Sequence, residues 1–243
     1  MWTPRLLSRL GIGAATVDTR LPETDFHPGE TVDVTIEIEG GRTDQPIDEL
    51  YLTLRTRVAD ETRVVAEFVT AESTTVPAGK SQTVSAELTL PSWTPITRDD
   101  CRVWLETGLD VSWGLDPSDE VDLEIAPDRY LVSLFAAVAE LGFDYEGSEI
   151  REPSWVEDRP FVQAFRFTPT AEQYRSDIER VTVVCQPRDD DLKTVLEIDQ
   201  RVAAEEFTDV EFDEQEVVHI FQTPDAGMFR RQLESLFDRY TND

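Results

Sequence analysis

The sequence predicts an all-β, two-lobed sandwich protein with a few peripheral α-helices, and three observations carry that expectation. Apolar and polar residues alternate with a period of two over several short runs, turn residues separate those runs, and 243 residues suffice to bury a sizeable core. Each run therefore has one oily face, and antiparallel sheets stacked face to face are the arrangement that buries such faces.

The clearest run lies in "LPETDFHPGETVDVTIEIEGG", residues 21–41. Val32, Val34, Ile36 and Ile38 share one face, and Thr31, Asp33, Thr35, Glu37 and Glu39 the other. Pro28-Gly29 turns the chain in, and Gly40-Gly41 lets it out. Leu50, Leu52, Leu54 and Val58 then alternate with Tyr51, Thr53, Arg55 and Arg57, and Val84, Ala86, Leu88 and Leu90 with Thr83, Ser85, Glu87 and Thr89. "VPAGKS" at 76–81 reads as a hairpin turn, while Val103 and Leu105, then Val121, Leu123 and Ile125, complete the first lobe.

The pattern changes after Pro127. Leu131, Leu134, Phe135, Val138 and Leu141 fall at helical spacing, with Pro127 at the start and Gly142 at the stop. A domain boundary is expected near residue 126, giving a first sandwich with an N-terminal helix over 1–125 and a second, mainly β lobe over 126–243. Strand signals resume in "PFVQAFRFTP", "IERVTVVCQP", "LKTVLEID" and "EVVHIFQT". An opening helix is expected at about 127–141 and a C-terminal helix at about 225–240, where Phe229, Leu233, Leu236, Phe237 and Tyr240 mark one face.

Charge narrows the functional classes. Asp and Glu number 51 against 22 Lys and Arg, for a net charge of −29 and a sequence pI near 4.2, which repels nucleic acid. Only Lys80 and Lys193 are lysines, so 20 of the 22 cations are arginines. This lysine-poor, acidic surface suggests a salt-adapted, halophilic cytoplasm whose counterions screen the self-repulsion. The first residues contain no long apolar run, and no later stretch approaches a membrane span, so a soluble, cytoplasmic protein is expected.

Chemistry is sparse. Cys101 and Cys185 stand in no metal-ligand spacing and read as reduced thiols. His27 reads as a turn residue and His219 as a strand residue. "RDDDLK" at 188–193 lacks the spaced ligands and glycine of a calcium loop and reads as a solvated turn. Neither a phosphate-cradling glycine loop nor a nucleophile elbow is present. The expectation is a non-enzyme with no catalytic residue, no cofactor and no metal.

Two surface features remain as candidate contacts. The N-terminal segment carries Arg5 and Arg9 with no acid before Asp18, and Trp2, Leu6 and Leu10 share a helical face. Such a basic, oily foot can pack on its own lobe, dock a partner or rest on anionic lipid. Trp104 alternates to the face opposite Val103 and Leu105, which places it either between the lobes or before a partner.

The segments "LGIGAATVDTRLPETDFHPGETVDVTIEIEGG", "IDELYLTLRTR" and "VWLETGLDVSWGLDPSD", with "LFAAVAELGF", "PFVQAFRFTPT" and "LKTVLEIDQR" further on, resemble the SpoOM family of sporulation-control proteins over roughly the whole chain. The acidic stretch "EIDQRVAAEEFTDVEFDEQE" departs from the family pattern. The resemblance implies an arrestin-like β-sandwich that acts as a regulatory adaptor by binding proteins of the signalling, cell-division or cytoskeletal machinery. The expected contacts are first-lobe loops and the groove between the lobes. The rival expectation is a membrane-surface protein anchored by Trp2, Arg5, Leu6, Arg9 and Leu10.

Overall fold

The computed structural model describes residues 15–58, 60–71, 73–111, 116–152, 159–188, 190–200 and 215–241. In chain order its elements are β1 (Thr16–Arg20), β2 (Asp25–Phe26), β3 (Thr31–Glu39), β4 (Gln45–Val58), β5 (Glu61–Ala71), β6 (Thr74–Val76), β7 (Ser81–Thr89), β8 (Val103–Val111), β9 (Ser118–Ile125), α1 (Arg129–Glu140), β10 (Phe143–Arg151), β11 (Val162–Pro169), α2 (Glu172–Arg175), β12 (Ile178–Pro187), β13 (Leu192–Gln200), β14 (Gln215–Phe221) and α3 (Ala226–Phe237). The N-terminal foot, Trp2 to Leu10, lies outside the described residues.

The first nine strands build an arrestin-like β-sandwich. One sheet has the order β1-β3-β7, and the other runs β2-β9-β8-β4-β5 with β6 on β4. Val32, Val34, Ile36 and Ile38 of β3 face Leu50, Leu52 and Leu54 of β4 and Val103 and Leu105 of β8 in one buried cluster, which is the outcome that period-two alternation requires. A polar clamp ties the sheets at one side: the Thr19 hydroxyl donates to that of Thr107 at 2.7 Å, and the Thr19 N–H donates to Asp119 at 2.8 Å.

The turns follow their residues. Pro28-Gly29 forms a tight turn in which the Glu30 N–H returns to the His27 carbonyl, with Gly29 at φ 84°. Between β3 and β4 the backbone of Gly40 meets the β6–β7 turn, its N–H donating to the Lys80 carbonyl at 2.8 Å. A Cβ at Gly40 would lie 2.3 Å from the Pro77 carbonyl oxygen, so only glycine fits there.

The second lobe is an antiparallel meander, β10-β11-β12-β13-β14, with α1 and α3 on one face. Phe135 of α1 packs on Phe165 and Phe167 of β11, while Phe237 of α3 packs on Phe143 of β10. Asp128 caps α1 by accepting from the Leu131 N–H, and Asp225 caps α3 by accepting from the Met228 N–H. A smaller cluster of Val162, Ala164, Val184 and Val195 occupies the other face of the sheet.

Both cysteines are free thiols. Burial pushes Cys101 up to about 12, against a small opposing hydrogen bond with Thr56, and burial raises Cys185 further. At pH 8 only roughly one Cys101 in 10⁴ is thiolate. Cys185 should not react with a disulfide reagent in the folded protein, the partly exposed Cys101 should react only slowly, and both should react fast once the chain is unfolded in urea. Rapid labelling of Cys101 in the native state would show that its thiol ionises more readily than its burial allows.

Candidate functional site

The joint between the lobes is made by residues 91–101, which leave β7 and cross to the second sheet before β8 begins. Ile96 inserts its backbone: its N–H donates to Gln163 Oε1 at 2.9 Å and its carbonyl accepts from Gln163 Nε2 at 3.0 Å. Gln163 lies on β11, is only 8% exposed, and acts as a surrogate strand partner for a backbone that has no ladder there. Trp93 packs against Phe161, with ring centroids 5.3 Å apart, and the Arg159 guanidinium lies over the Trp93 ring at 5.7 Å from its centroid.

A second tie lies a few residues on. Asp99, at φ 57°, accepts from the Ser148 N–H and hydroxyl, both at 2.9 Å, and from the Tyr145 hydroxyl. The Arg98 guanidinium sits 3.8 Å from the Tyr145 ring centroid and 5.2 Å from that of Phe135. The joint is filled: the cavity lined by Trp93, Phe161 and Gln163 measures about 20 Å³, room for one water.

This joint carries a pH dependence. Burial works to raise the Asp99 carboxyl, but the hydrogen bonds from Tyr145 and Ser148, with Arg98 beside them, prevail and hold it below its ordinary value of 3.8. A carboxyl lowered on folding contributes stability that is complete above its unfolded pKa and lost as pH falls through the folded one. Asp99→Asn tolerates the left-handed backbone and removes the charge. The wild type should therefore lose more stability than this variant when urea unfolding is followed from about pH 5 down to about pH 2. Parallel pH profiles would sink the assignment.

Trp104 is buried, which removes the alternative of exposure before a partner. It does lie on the outer face of β8, yet it is only 3% exposed, and the Arg102 guanidinium covers its ring at 4.4 Å from the centroid. Its indole N–H has no hydrogen-bond partner among the described residues. Arg55 pairs with Glu106 next to it, Arg102 pairs with Glu120 and Asp122, and the Tyr51 ring lies flat on Gly108. This face is closed by its own ion pairs.

Free cations lie elsewhere. Arg42 and Lys80 are exposed at the tip formed by the β3–β4 loop and the β6–β7 turn, and neither makes an ion pair among the described residues. That tip lies at the far end of β7 from the joint, about 27 Å along a nine-residue strand.

His27 donates its backbone N–H to Glu30 in the turn, and the His219 ring meets Gln232 of α3 at 3.2 Å. In "RDDDLK" the Arg188 N–H closes onto the Asp191 carbonyl, and the Tyr130 hydroxyl donates to the Asp190 carbonyl. Among the described residues no three His, Cys, Asp or Glu side chains gather as metal ligands, and no helix is long and apolar enough to cross a membrane.

Comparison with known proteins gives one consistent relationship. The family model described as SpoOM protein matches residues 4–202. The sporulation-control protein spo0M of Bacillus subtilis is 31% identical over 206 residues, 81% of this chain and 80% of that protein. The crystal structure of Spo0M, sporulation control protein, from Bacillus subtilis superposes with a TM-score of 0.84 at 29% identity, covering 95% of this chain and all of that one.

Proposed function

The chain belongs to the SpoOM protein family, and on that premise we propose that it is a non-enzymatic regulatory adaptor. It binds a protein partner through the loops of its first lobe and the rim of the groove between the lobes, in a salt-adapted cytoplasm. The partner belongs to the signalling, cell-division or cytoskeletal machinery. One observation carries the choice of surface: Arg42 and Lys80 stand exposed, without carboxylate partners among the described residues, at one loop tip of a chain with a net charge of −29. Both sheets behind that tip are braced, so the loops are presented at a fixed spacing.

Affinity capture from lysate at molar salt tests this reading, using the full chain, the double variant Arg42→Glu with Lys80→Glu, and a chain lacking residues 1–10. A protein held by the full chain and lost with the double variant supports the loop surface. A partner lost only with residues 1–10 moves the contact to the foot, and flotation of the full chain with anionic vesicles, abolished by that deletion, replaces the adaptor with a membrane-surface protein. Retention of nothing by any form overturns the reading.

A further inference from the structure

The C-terminal sheet ends at β14, and a solvent-facing groove of about 560 Å³ runs between that strand and α3. Three features of the groove bear on what it holds. The first is an open strand edge. β14 pairs with β13 along one side, and among the described residues no strand pairs with its other side, so backbone donors and acceptors line the groove. Val218 and Ile220, on the face of β14 turned away from the helix, are 59% and 43% exposed.

The second feature is the helix wall. Met228, Arg231, Gln232 and Ser235 line the groove at helical spacing along one side of α3, and Arg239 follows in the turn just after its last residue, Phe237. From 228 to 239 that stripe runs about 16 Å, the length of about five residues of extended chain. A strand laid along β14 therefore has a wall of its own length beside it.

The third is charge. Arg231 and Arg239 make no ion pair among the described residues, although the chain carries 51 acidic residues. Their neighbour Arg230 takes both Glu140 and Glu234. Among the described residues, those lining the groove include two arginines and His219 but no carboxylate. On so acidic a body, this is a socket for negative charge brought from outside.

We propose that an extended acidic segment of a partner protein adds to β14 as a sixth strand of the sheet. Its alternate side chains point two ways: carboxylates toward Arg231 and Arg239, and β-branched apolar groups beside Val218 and Ile220. The main chain supplies the affinity through ladder hydrogen bonds, and the arginines select the sequence. The groove lies beyond residue 202, where the family match ends. The proposal rests on the adaptor reading only in taking the partner to be a protein.

The test uses the full chain and a fluorescein-labelled heptapeptide of alternating valine and glutamate, titrated by fluorescence anisotropy at about 0.15 M salt, where charges within about 8 Å still interact. Companion peptides carry glutamine or lysine in place of glutamate, and two further forms are N-methylated on one or the other set of alternate backbone nitrogens. The glutamate peptide is expected to bind about tenfold or more tightly than the glutamine form, and the lysine form not at all. One methylated form should lose binding while the other keeps it, because only one set of N–H groups faces β14. Arg231→Gln with Arg239→Gln should reduce the glutamate peptide to the affinity of the glutamine one with an unchanged unfolding midpoint, since both side chains are exposed. Equal affinity for glutamate and lysine peptides, an unaffected double variant, or two methylated forms that bind alike would overturn the proposal. Any of these failures leaves capture through Arg42 and Lys80 untouched, so the two readings fall separately.

Discussion

Replacing Gln163 with leucine should destabilise the protein by about 2–6 kcal/mol, because it leaves both the N–H and the carbonyl of Ile96 facing an apolar side chain at about 1–3 kcal/mol for each buried orphan. Leucine nearly conserves volume, so the loss isolates hydrogen bonding from packing. Both bonds lie between lobes, from β11 to the segment that follows β7, so the cost falls on the joint and not within either sheet. Urea unfolding followed by tryptophan fluorescence is suited to the measurement, since Trp93 packs on Phe161 in the same joint. A midpoint shift with unchanged slope is expected if the lobes unfold together. A loss below about 0.5 kcal/mol would mean that water replaces the amide from the adjoining 20 Å³ cavity and that the tie is dispensable.

The alternation in the sequence is enough to find β3, β4, β7, β8, β9 and the strands of the second meander except its first. It was not enough for β5 or β10: β5 carries two extra residues, Val65 and Thr70, and β10 one. In β5, Leu54 of β4 faces Ala66 and Arg55 faces Val64, so Val65 is a bulge that sets two valines side by side and breaks the period of two. In β10 the register jumps from Tyr145 to Gly147, and Glu146 is the surplus residue. β1 and β2 are short edge strands of five and two residues, too brief to show a period.

The site was less legible, for a different reason. Gln163 reads as the polar beat of "PFVQAFRF", and nothing in that string says that another lobe covers it; "PSWTPITRDDC" has no period at all, because its backbone is satisfied by side chains across the joint. Trp104 was assigned the correct strand face, yet an outer face can be closed by long arginine side chains such as Arg102 laid over it, which alternation does not register. Arg231 sits in, and Arg239 just after, a helix whose apolar face is readable from Phe229, Leu233, Leu236 and Phe237. Their shared groove depends on a strand edge that the chain brings alongside only when the sheet forms.

Phe229→Ala should destabilise the second lobe by about 3–5 kcal/mol. Phe229 has no exposed surface and stacks on Phe221 of β14, with centroids 3.8 Å apart and planes 24° from parallel. That stack joins α3 to the last strand of the sheet, so the same side chain holds both walls of the groove in place. The variant should consequently lose stability and affinity for the valine–glutamate peptide together, whereas Arg231→Gln with Arg239→Gln should lose affinity alone. Phe229→Leu, which keeps most of the volume, should recover the larger part of both. If Phe229→Ala lowered the unfolding midpoint yet bound the peptide as well as the wild type at a temperature where it is folded, the peptide would not be using the space between β14 and α3. The groove would then be a consequence of how the helix packs and nothing more.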